Sequence, residues 1–595
     1  MKNILYLFIF VLMFMSSCKK DVLDKKPLDI ISDDVVWSDP ALIDAYLTQL
    51  YAQVSVFTLE TPGGSWDETE GWRGPIAINV LADEGKENWI LWKSYQPYKC
   101  GGLKISGGLL EWWETPYSII RSLNEFIQRV PNSPVEESIR KMRTAEARFL
   151  RAYNYFSMVK RYGGVPLIIV PQKIDDPKES LYPARDSEQK IYDFVISEVD
   201  AIAGDLLETN SSSDYGRPTK YAALALKSRA ALYAGSIAQF GTVQLNGLLG
   251  IPSDAAATYY QKSYDAAKSI ISSGHYALYN ADADKTTNFR NLFIVKNNPE
   301  VIFSKRHADP TTGGNTWSFD FLNCPKPHAW GAGNINAPYL EMAEEFDHVD
   351  GTTGTLDRTA IQQGLWTMDE LWGNKDPRFY ATIWTMGTLW LGSTIDPHNG
   401  LLLPDGTIQT SGSYNGVPAL GIQLSDNNFG TSFGLMKYLD EKVDNNKGPN
   451  QSSTDYQVFR YGEVLLNLAE AAFELGKANE ALDALNQIRT RAGISTITAI
   501  DREKIHHERK VELAFEGHRY WDLRRWRTAV STLTVNRSGI RYILDYTTRK
   551  YKLEVLKNID GTSTPPAFYP YNYYFPITLN RTGNNPNLVE NPGYK

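Results

Sequence analysis

Apolar residues fall at three- and four-residue steps in several stretches of this chain, the spacing of helices that bury one face. The clearest is Phe459 to Trp526. Tyr461, Val464, Leu465, Leu468, Ala469 and Ala472 form one stripe, ended by Gly476, and Ala478, Ala481, Leu482, Leu485 and Ile488 form a second, ended by Gly493. A third, heavily charged helix follows in HERKVELAFEGHRYWDLRRW. Its Glu508, Arg509, Glu512, Glu516 and Arg519 stand three or four apart, which predicts an ion-pair ladder along one helical side. With Leu513, Phe515, Tyr520, Trp521 and Trp526 reading as core, this stretch is a structural brace rather than an active site.

The same periodicity recurs upstream. Ala145, Phe149, Ala152, Phe156 and Val159 share a face before Gly163, Gly164 and Pro166 stop the helix. Further helices are predicted over 109–130 and 191–207, the latter ended by the linker TNSSSDYGRP. Two more follow, one with Ala223, Leu226, Ala230 and Tyr233 in register over 220–234, the other with Tyr260, Tyr264, Ala267 and Ile271. Near the start, WSDPALIDAYLTQLYAQV offers Ser38 or Asp39 as a helix cap. Helix pairs with alanine at the contact resemble tetratricopeptide units of about 34 residues, which bury a continuous core only when stacked. Here the copies lie far apart. The expected fold is therefore mainly α, an interrupted α-solenoid of tetratricopeptide-like pairs with long loop-rich insertions. Residues 57–108 and 306–450 supply those insertions, being rich in Gly and Trp or in Gly, Pro, Asn and Thr, with little periodicity. The expected organisation is a leader over 1–17, an N-terminal helical region over 18–235, and a second region over 236–595. That second region holds the 306–450 insertion and C-terminal helices over 455–530.

The N-terminus changes where this fold is expected to act. Lys2 precedes an apolar run of twelve residues, Ile4 to Met15, and then Ser16, Ser17 and Cys18. Such a run is too short to cross a bilayer of about 30 Å as a helix and suits a cleaved export signal. Small residues before a cysteine resemble a bacterial lipoprotein signal, with Cys18 as the lipidated first residue and membrane anchor. Only Cys100 and Cys324 then remain, too few for a disulfide scaffold or a thiolate metal site. The 595 residues are 42% hydrophobic and 22% charged, an ordinary globular composition, and a net charge of −8 with no basic cluster argues against nucleic acid.

Candidate chemistry is sparse. Glu344-Glu345 and Asp83-Glu84 are neighbours whose side chains diverge, so neither is a natural acid/base dyad for glycoside hydrolysis. Gly430-Thr431-Ser432-Phe433-Gly434 matches the nucleophile-elbow pattern but follows SDNNF instead of a buried strand. His507-Glu508 lacks the second histidine of a zinc motif, and Asn280, Asp282 and Asp284 alternate as in a calcium loop, with Lys285 and Asn291 where that loop needs Gly and Glu. No cofactor is expected, beyond an adventitious or structural Ca²⁺. What stands out is 15 Trp and 34 Tyr, with tryptophan concentrated in the loop regions. Aromatic rings stack on the C–H faces of sugars while Asp and Asn bond the hydroxyls. Trp66, Asp83, Trp89, Trp92, Tyr95, Trp317, Asn323 and Trp330 are the candidate ligand contacts on that ground.

Six stretches together carry a family resemblance: AEARFLRAYNYFSMVKRYGGVPLI, GRPTKYAALALKSRAALYAGS, FRYGEVLLNLAEA, ALDALNQIRTRAGI, ERKVELAFEGHRYWDLRRW and the terminal NPNLVENPGYK. In this order they resemble the SusD/RagB family, a resemblance that covers essentially the whole chain from Cys18 to Lys595. The resemblance implies a lipid-anchored protein on the outer-membrane surface of a Bacteroidetes-type bacterium. It implies a glycan ligand, or less often a peptide, and a SusC-like TonB-dependent transporter as partner. It implies no catalysis. A secreted glycoside hydrolase is the remaining alternative. Family ligand sites lie in divergent loops, so no contact residue carries over by motif.

Overall fold

The computed structural model describes residues 33–54, 78–87, 96–107, 110–313, 316–325, 334–422, 431–442, 448, 450–560 and 564–594. Helices form where the periodicity predicts them. Helix α1 (Pro40–Gln53) is capped by Asp39, not Ser38, whose carboxylate accepts from Ala41 N at 2.8 Å. After the short strand β1 (Gly85–Glu87) come α2 (Glu114–Arg129), α3 (Glu137–Tyr162), α4 (Glu188–Ile202), α5 (Lys220–Phe240) and α6 (Ala256–Ser273). Several boundaries differ from the sequence expectation: α2 begins at Glu114 instead of residue 109, α4 ends at Ile202 instead of residue 207, and two others have a local cause. Ser187 caps α4 by accepting from Lys190 N at 3.1 Å, so the helix begins before Ile191, and α5 runs on to Phe240 because Gly235 to Ala238 are still buried.

The next elements are α7 (Lys285–Ile294), β2 (Val301–Lys305), α8 (Phe319–Asn323), β3 (Asn336–Pro338) and α9 (Pro377–Thr382). They are followed by β4 (Tyr456–Arg460), α10 (Tyr461–Glu474), α11 (Ala478–Ala492), α12 (Arg502–Glu512) and α13 (Arg519–Arg525), and by the hairpin β5 (Gly539–Asp545) and β6 (Tyr551–Leu556). Helices α2, α3, α4, α5 and α6 pack successively, and α6 then packs on α10, so a stack broken in sequence is continuous in space. The seam needs small residues. A Cβ at Gly235 of α5 would lie 2.9 Å from the Tyr260 ring of α6. The inserted chain leaves and returns through one ladder, because β2 and β4 pair antiparallel with Lys305 opposite Tyr456. Within the insertion, short two-residue strands and single-turn helices replace the long helices, and a five-stranded sheet joins three of those strands to β5 and β6.

The predicted ion ladder forms differently. Helix α12 ends at Glu512, Phe515 and Gly517 take left-handed backbone at φ +60° and +80°, and the charges of α12 find partners on other elements. Arg460 at the end of β4 donates to Glu300 Oε1 at 2.8 Å, Glu512 Oε1 at 2.7 Å and Glu516 Oε2 at 2.7 Å. Arg491 reaches Glu300 at 2.9 Å and also bonds Glu512. Arg378 of α9 bonds Glu508 at 2.6 Å, Glu512 Oε2 at 2.8 Å and Asp376 at 2.7 Å. Arg489 adds Glu508 at 2.8 Å, and Lys437 adds Glu516 at 2.9 Å. Five carboxylates thus meet five cations, all buried. Burial alone would raise the Glu512 carboxyl, yet Arg491, Arg460 and Arg378 hold it well below the usual carboxylate range. Gly462 leaves the space this needs, since a Cβ there would stand 2.3 Å from Arg460 and 2.8 Å from Glu300.

A second cluster fixes the chain just before β1. Asp83 accepts from Lys510 at 2.8 Å and from Arg519 at 2.8 and 3.0 Å. Although burial opposes it, Arg519 and Lys510 keep Asp83 ionised. Its neighbour Glu84 points elsewhere, accepting from Phe515 N at 2.8 Å, and its Oε2 has no partner among the described residues. Burial, outweighing that bond, pushes Glu84 from 4.5 up to about 8, so it stays protonated at neutral pH.

Removing one partner from a buried ion cluster leaves the others uncompensated. Glu512→Ala is expected to cost about 3–5 kcal/mol in chemical denaturation. Arg502→Ala should cost up to about 1 kcal/mol, because its pair with Glu474 sits at a surface where the Arg502 side chain is 42% exposed. Equal midpoints for the two variants would contradict the assignment. For Glu84 the folded value lies above the unfolded one, so its stabilising contribution is complete below pH 4.5 and is lost as pH rises towards about 8. Glu84→Gln should therefore gain thermal stability relative to wild type between about pH 5 and about pH 8, and a pH-independent difference in Tm would count against it.

Candidate ligand-binding face

The β1–β3 ladder gathers the ends of most stretches on which loop aromatics were expected. Its register sets Gly85 opposite Pro338 and Glu87 opposite Asn336. Trp89, Trp92 and Tyr95 follow Glu87 in the chain, and Trp330 precedes Asn336. The single turn Asn79–Leu81, which comes after the stretch holding Trp66, packs on β1, and the two-residue strand Gly434–Leu435 packs on β3. Trp66, Trp89, Trp92, Tyr95, Trp330 and the lipidation candidate Cys18 themselves lie outside the described residues.

A second anchor ties this ladder down. Lys99, in the single-turn helix Gln96–Lys99, donates to Asp560 at 3.0 Å, to Gly85 O at 3.3 Å and to the Tyr339 hydroxyl, while Tyr339 donates to Asp560 at 2.7 Å. Burial would raise Asp560, but Lys99 and the Tyr339 hydroxyl lower it and keep the carboxylate charged. The hollow beside this triangle, lined also by Asp83, Arg537 and Phe568, holds about 30 Å³, the space of a water or two and too small for a sugar ring. These residues were invisible to pattern reading. Tyr339 and Asp560 are 221 positions apart, and no local motif links them.

Three candidate contacts do lie among the described residues, and all three are corrected. Asp83 is 3% exposed and saturated by Lys510 and Arg519, so it holds the floor of the face and has no edge to offer a ligand. Asn323 is fully buried, donates to Phe319 O at 3.0 Å and accepts from Asn336 N at 3.3 Å, which positions β3 from below. Trp317 is 1% exposed and sandwiched, its ring 4.7 Å from His307 and 4.8 Å from Phe319. Neither face is open to a sugar. Burial lowers His307 to about 3, so a neutral imidazole stacks there. Elsewhere in the insertion Trp372, Trp384 and Trp390 are core residues too.

The catalytic patterns come apart in space. Ser432 has φ +59°, its carbonyl accepts from Thr385 at 3.2 Å, and no histidine bonds it among the described residues. His506 stacks on Trp526, and His507 faces Glu345 at 3.5 Å. Glu344 pairs with Arg358 and Glu345 with Lys510, so those carboxylates diverge as expected. Of the calcium-like residues, Asn280 accepts from Lys285, Asp282 from Asn291, and Asp284 caps α7 through Thr287 N. Their oxygens serve helix α7.

Comparison with known proteins matches this architecture along its length. A model described as "SusD family" matches residues 299–594, and one described as "Starch-binding associating with outer membrane" matches residues 21–232. A SusD-like protein of Formosa agariphila is 24% identical over 559 residues, covering 89% of this chain and 92% of the relative. The starch-binding protein SusD of Bacteroides thetaiotaomicron is 23% identical, over 80% of this chain and 77% of its own. A crystal structure of a SusD-like protein from Bacteroides fragilis superposes with a TM-score of 0.73 at 26% identity, covering 96% of this chain and all of that one. The stacked helix pairs, the insertion entered through one strand ladder and these matches to both halves identify the chain as a member of the SusD family.

Proposed function

We propose that this protein is a glycan-binding lipoprotein of the outer-membrane surface, which captures oligo- or polysaccharide and passes it to a SusC-like TonB-dependent transporter. The observation that carries this is the pair of family matches, one to each half of the chain, including the model for starch-binding proteins that associate with the outer membrane. The starch-binding relative supports a sugar ligand. Binding rather than bond cleavage suits a chain whose serine, carboxylate and histidine patterns are each engaged separately in packing or ion pairs.

On this reading Trp66, Trp89, Trp92, Tyr95 and Trp330 supply the stacking surfaces. Lipid on Cys18 and the polar residues after it tether the protein, and holding glycan beside the transporter raises its effective concentration at the pore. Peptide capture is the alternative within the same architecture. Competition by protein digests, with no glycan competing, would establish it.

Native affinity electrophoresis in soluble starch, laminarin and other polysaccharides tests the ligand class. Joint replacement of Trp89, Trp92 and Trp330 by alanine should weaken retention roughly tenfold or more, with an unchanged melting curve. Trp317→Ala should instead lower Tm, since it empties a buried aromatic sandwich. Retention untouched by the triple replacement would remove those tryptophans from the site. Cys18→Ser should shift the protein from the membrane fraction to the soluble fraction and abolish lipid labelling, and a Cys18→Ser protein that stays in the membrane fraction would refute the anchor. Tagged wild-type protein should retain a TonB-dependent transporter on affinity capture.

A further inference from the structure

The stretch TNSSSDYGRP, which reads as a linker, walls a cleft between the N-terminus of α5, the chain after α6 and the start of β2. Asn210, Tyr215, His275, Tyr276 and Asn297 line it, and it encloses about 240 Å³. That is the liquid volume of roughly eight waters, enough for a short length of an extended ligand.

Tyr215 is 44% exposed. Its backing is Arg306, whose guanidinium lies 5.7 Å from the ring centroid. Gly216 makes that approach possible, having φ +93° and a position where a Cβ would come within 2.6 Å of Arg306 Cγ. Tyr276 adds a second ring, its hydroxyl 3.3 Å from Thr219 Oγ1. The cleft therefore presents aromatic surface that the protein itself does not cover.

The charges around it are engaged in pairs, with Asp455 shared between Arg306 and Lys296. Arg217 pairs with Glu146 at 2.7 Å and Asp214 at 3.3 Å, Arg306 with Asp455 at 3.1 Å, and His275 faces Glu208 at 3.4 Å. An ionic ligand would have to break these pairs. Two amides keep unused hydrogen-bonding capacity of opposite kinds. Asn210 donates through Nδ2 to Arg217 O at 2.7 Å, which leaves its Oδ1 as an acceptor without a protein partner among the described residues. Asn297 accepts from Arg306 through Oδ1, which leaves its Nδ2 as a donor. Hydroxyl groups both donate and accept, so a sugar chain carries partners for both amides and C–H faces for Tyr215.

We propose that this cleft is a contact site for a neutral carbohydrate chain, separate from the β1–β3 face, with Tyr215 as platform and Asn210 and Asn297 as its hydrogen-bonding pair. The proposal rests on the glycan-binding reading and extends it to a second place on the surface. A peptide would bring its own charges and is the competing occupant.

The test uses the full chain and isothermal titration with soluble starch, laminarin, anionic polygalacturonate and a casein digest, on wild type, Tyr215→Ala, Tyr215→Phe and Asn297→Ala. Both alanine variants should bind the preferred neutral glycan roughly three- to tenfold more weakly with unchanged Tm, while Tyr215→Phe, which keeps the ring, stays within about twofold. Wild-type binding that all three variants retain at full strength, with sensitivity only to Trp89, Trp92 and Trp330, would overturn this site and leave the glycan-binding function standing. Binding of polygalacturonate or the digest, but no neutral glycan, in a Tyr215-dependent way would overturn the assigned ligand class. A wild-type protein that binds no glycan, neutral or anionic, would overturn both the cleft and the function on which it rests.

Discussion

A carboxylate in a protein interior has to be met by cations, and Glu512 takes its cations from three separate parts of the chain. Arg460 comes from the strand that re-enters the helix stack, Arg491 from the preceding helix, and Arg378 from deep within the insertion. Desolvating any one of these groups without the others is costly, so the cluster assembles as a unit. Its effect is geometric: it fixes the irregular insertion against the regular helices, where shape complementarity of short loops alone would specify position weakly. The Asp83 cluster repeats the device at the approach to β1, with Lys510 and Arg519 again drawn from the α12–α13 region. One charged segment thus holds both the insertion and the floor of the candidate face.

The stacked helices were legible in the sequence because their signal is local. Stripes at helical spacing, capping residues such as Asp39 and Ser187, and stops at Gly476 and Gly493 each act within a few residues. The ion ladder was half legible. Residue types and spacing marked Glu508, Glu512 and Glu516 as paired, but their partners lie tens to hundreds of positions away, and the left-handed turn at Phe515 breaks the helix that a ladder would need. Spacing cannot reveal a partner on another element.

The candidate site was legible only as a region. Loop aromatics mark a ligand face by composition, but composition does not separate a ring that packs from one that stacks on a ligand. Trp317, between His307 and Phe319, is the packing kind. Tyr215 shows the opposite error: it sits in a run of small polar residues that reads as a tether, and only the fold brings Arg306 and Asn297 to its side. A lone aromatic in an otherwise polar turn was the one available hint.

The strand pair through which the insertion leaves and returns has a further consequence for how such a chain can vary. With Lys305 set opposite Tyr456, the two ends of a segment of about 150 residues are held at neighbouring positions whatever lies between them. The entropy of closing a loop grows only with the logarithm of its length, about 0.6 kcal/mol for each doubling. Loops beyond this doorway can therefore be lengthened or shortened at little cost in closure entropy, so long as Arg378, Asp376 and Lys437 still reach the buried cluster. The ladder divides the molecule into a stack whose phase is set by helix packing and an insertion whose ends alone are held in register.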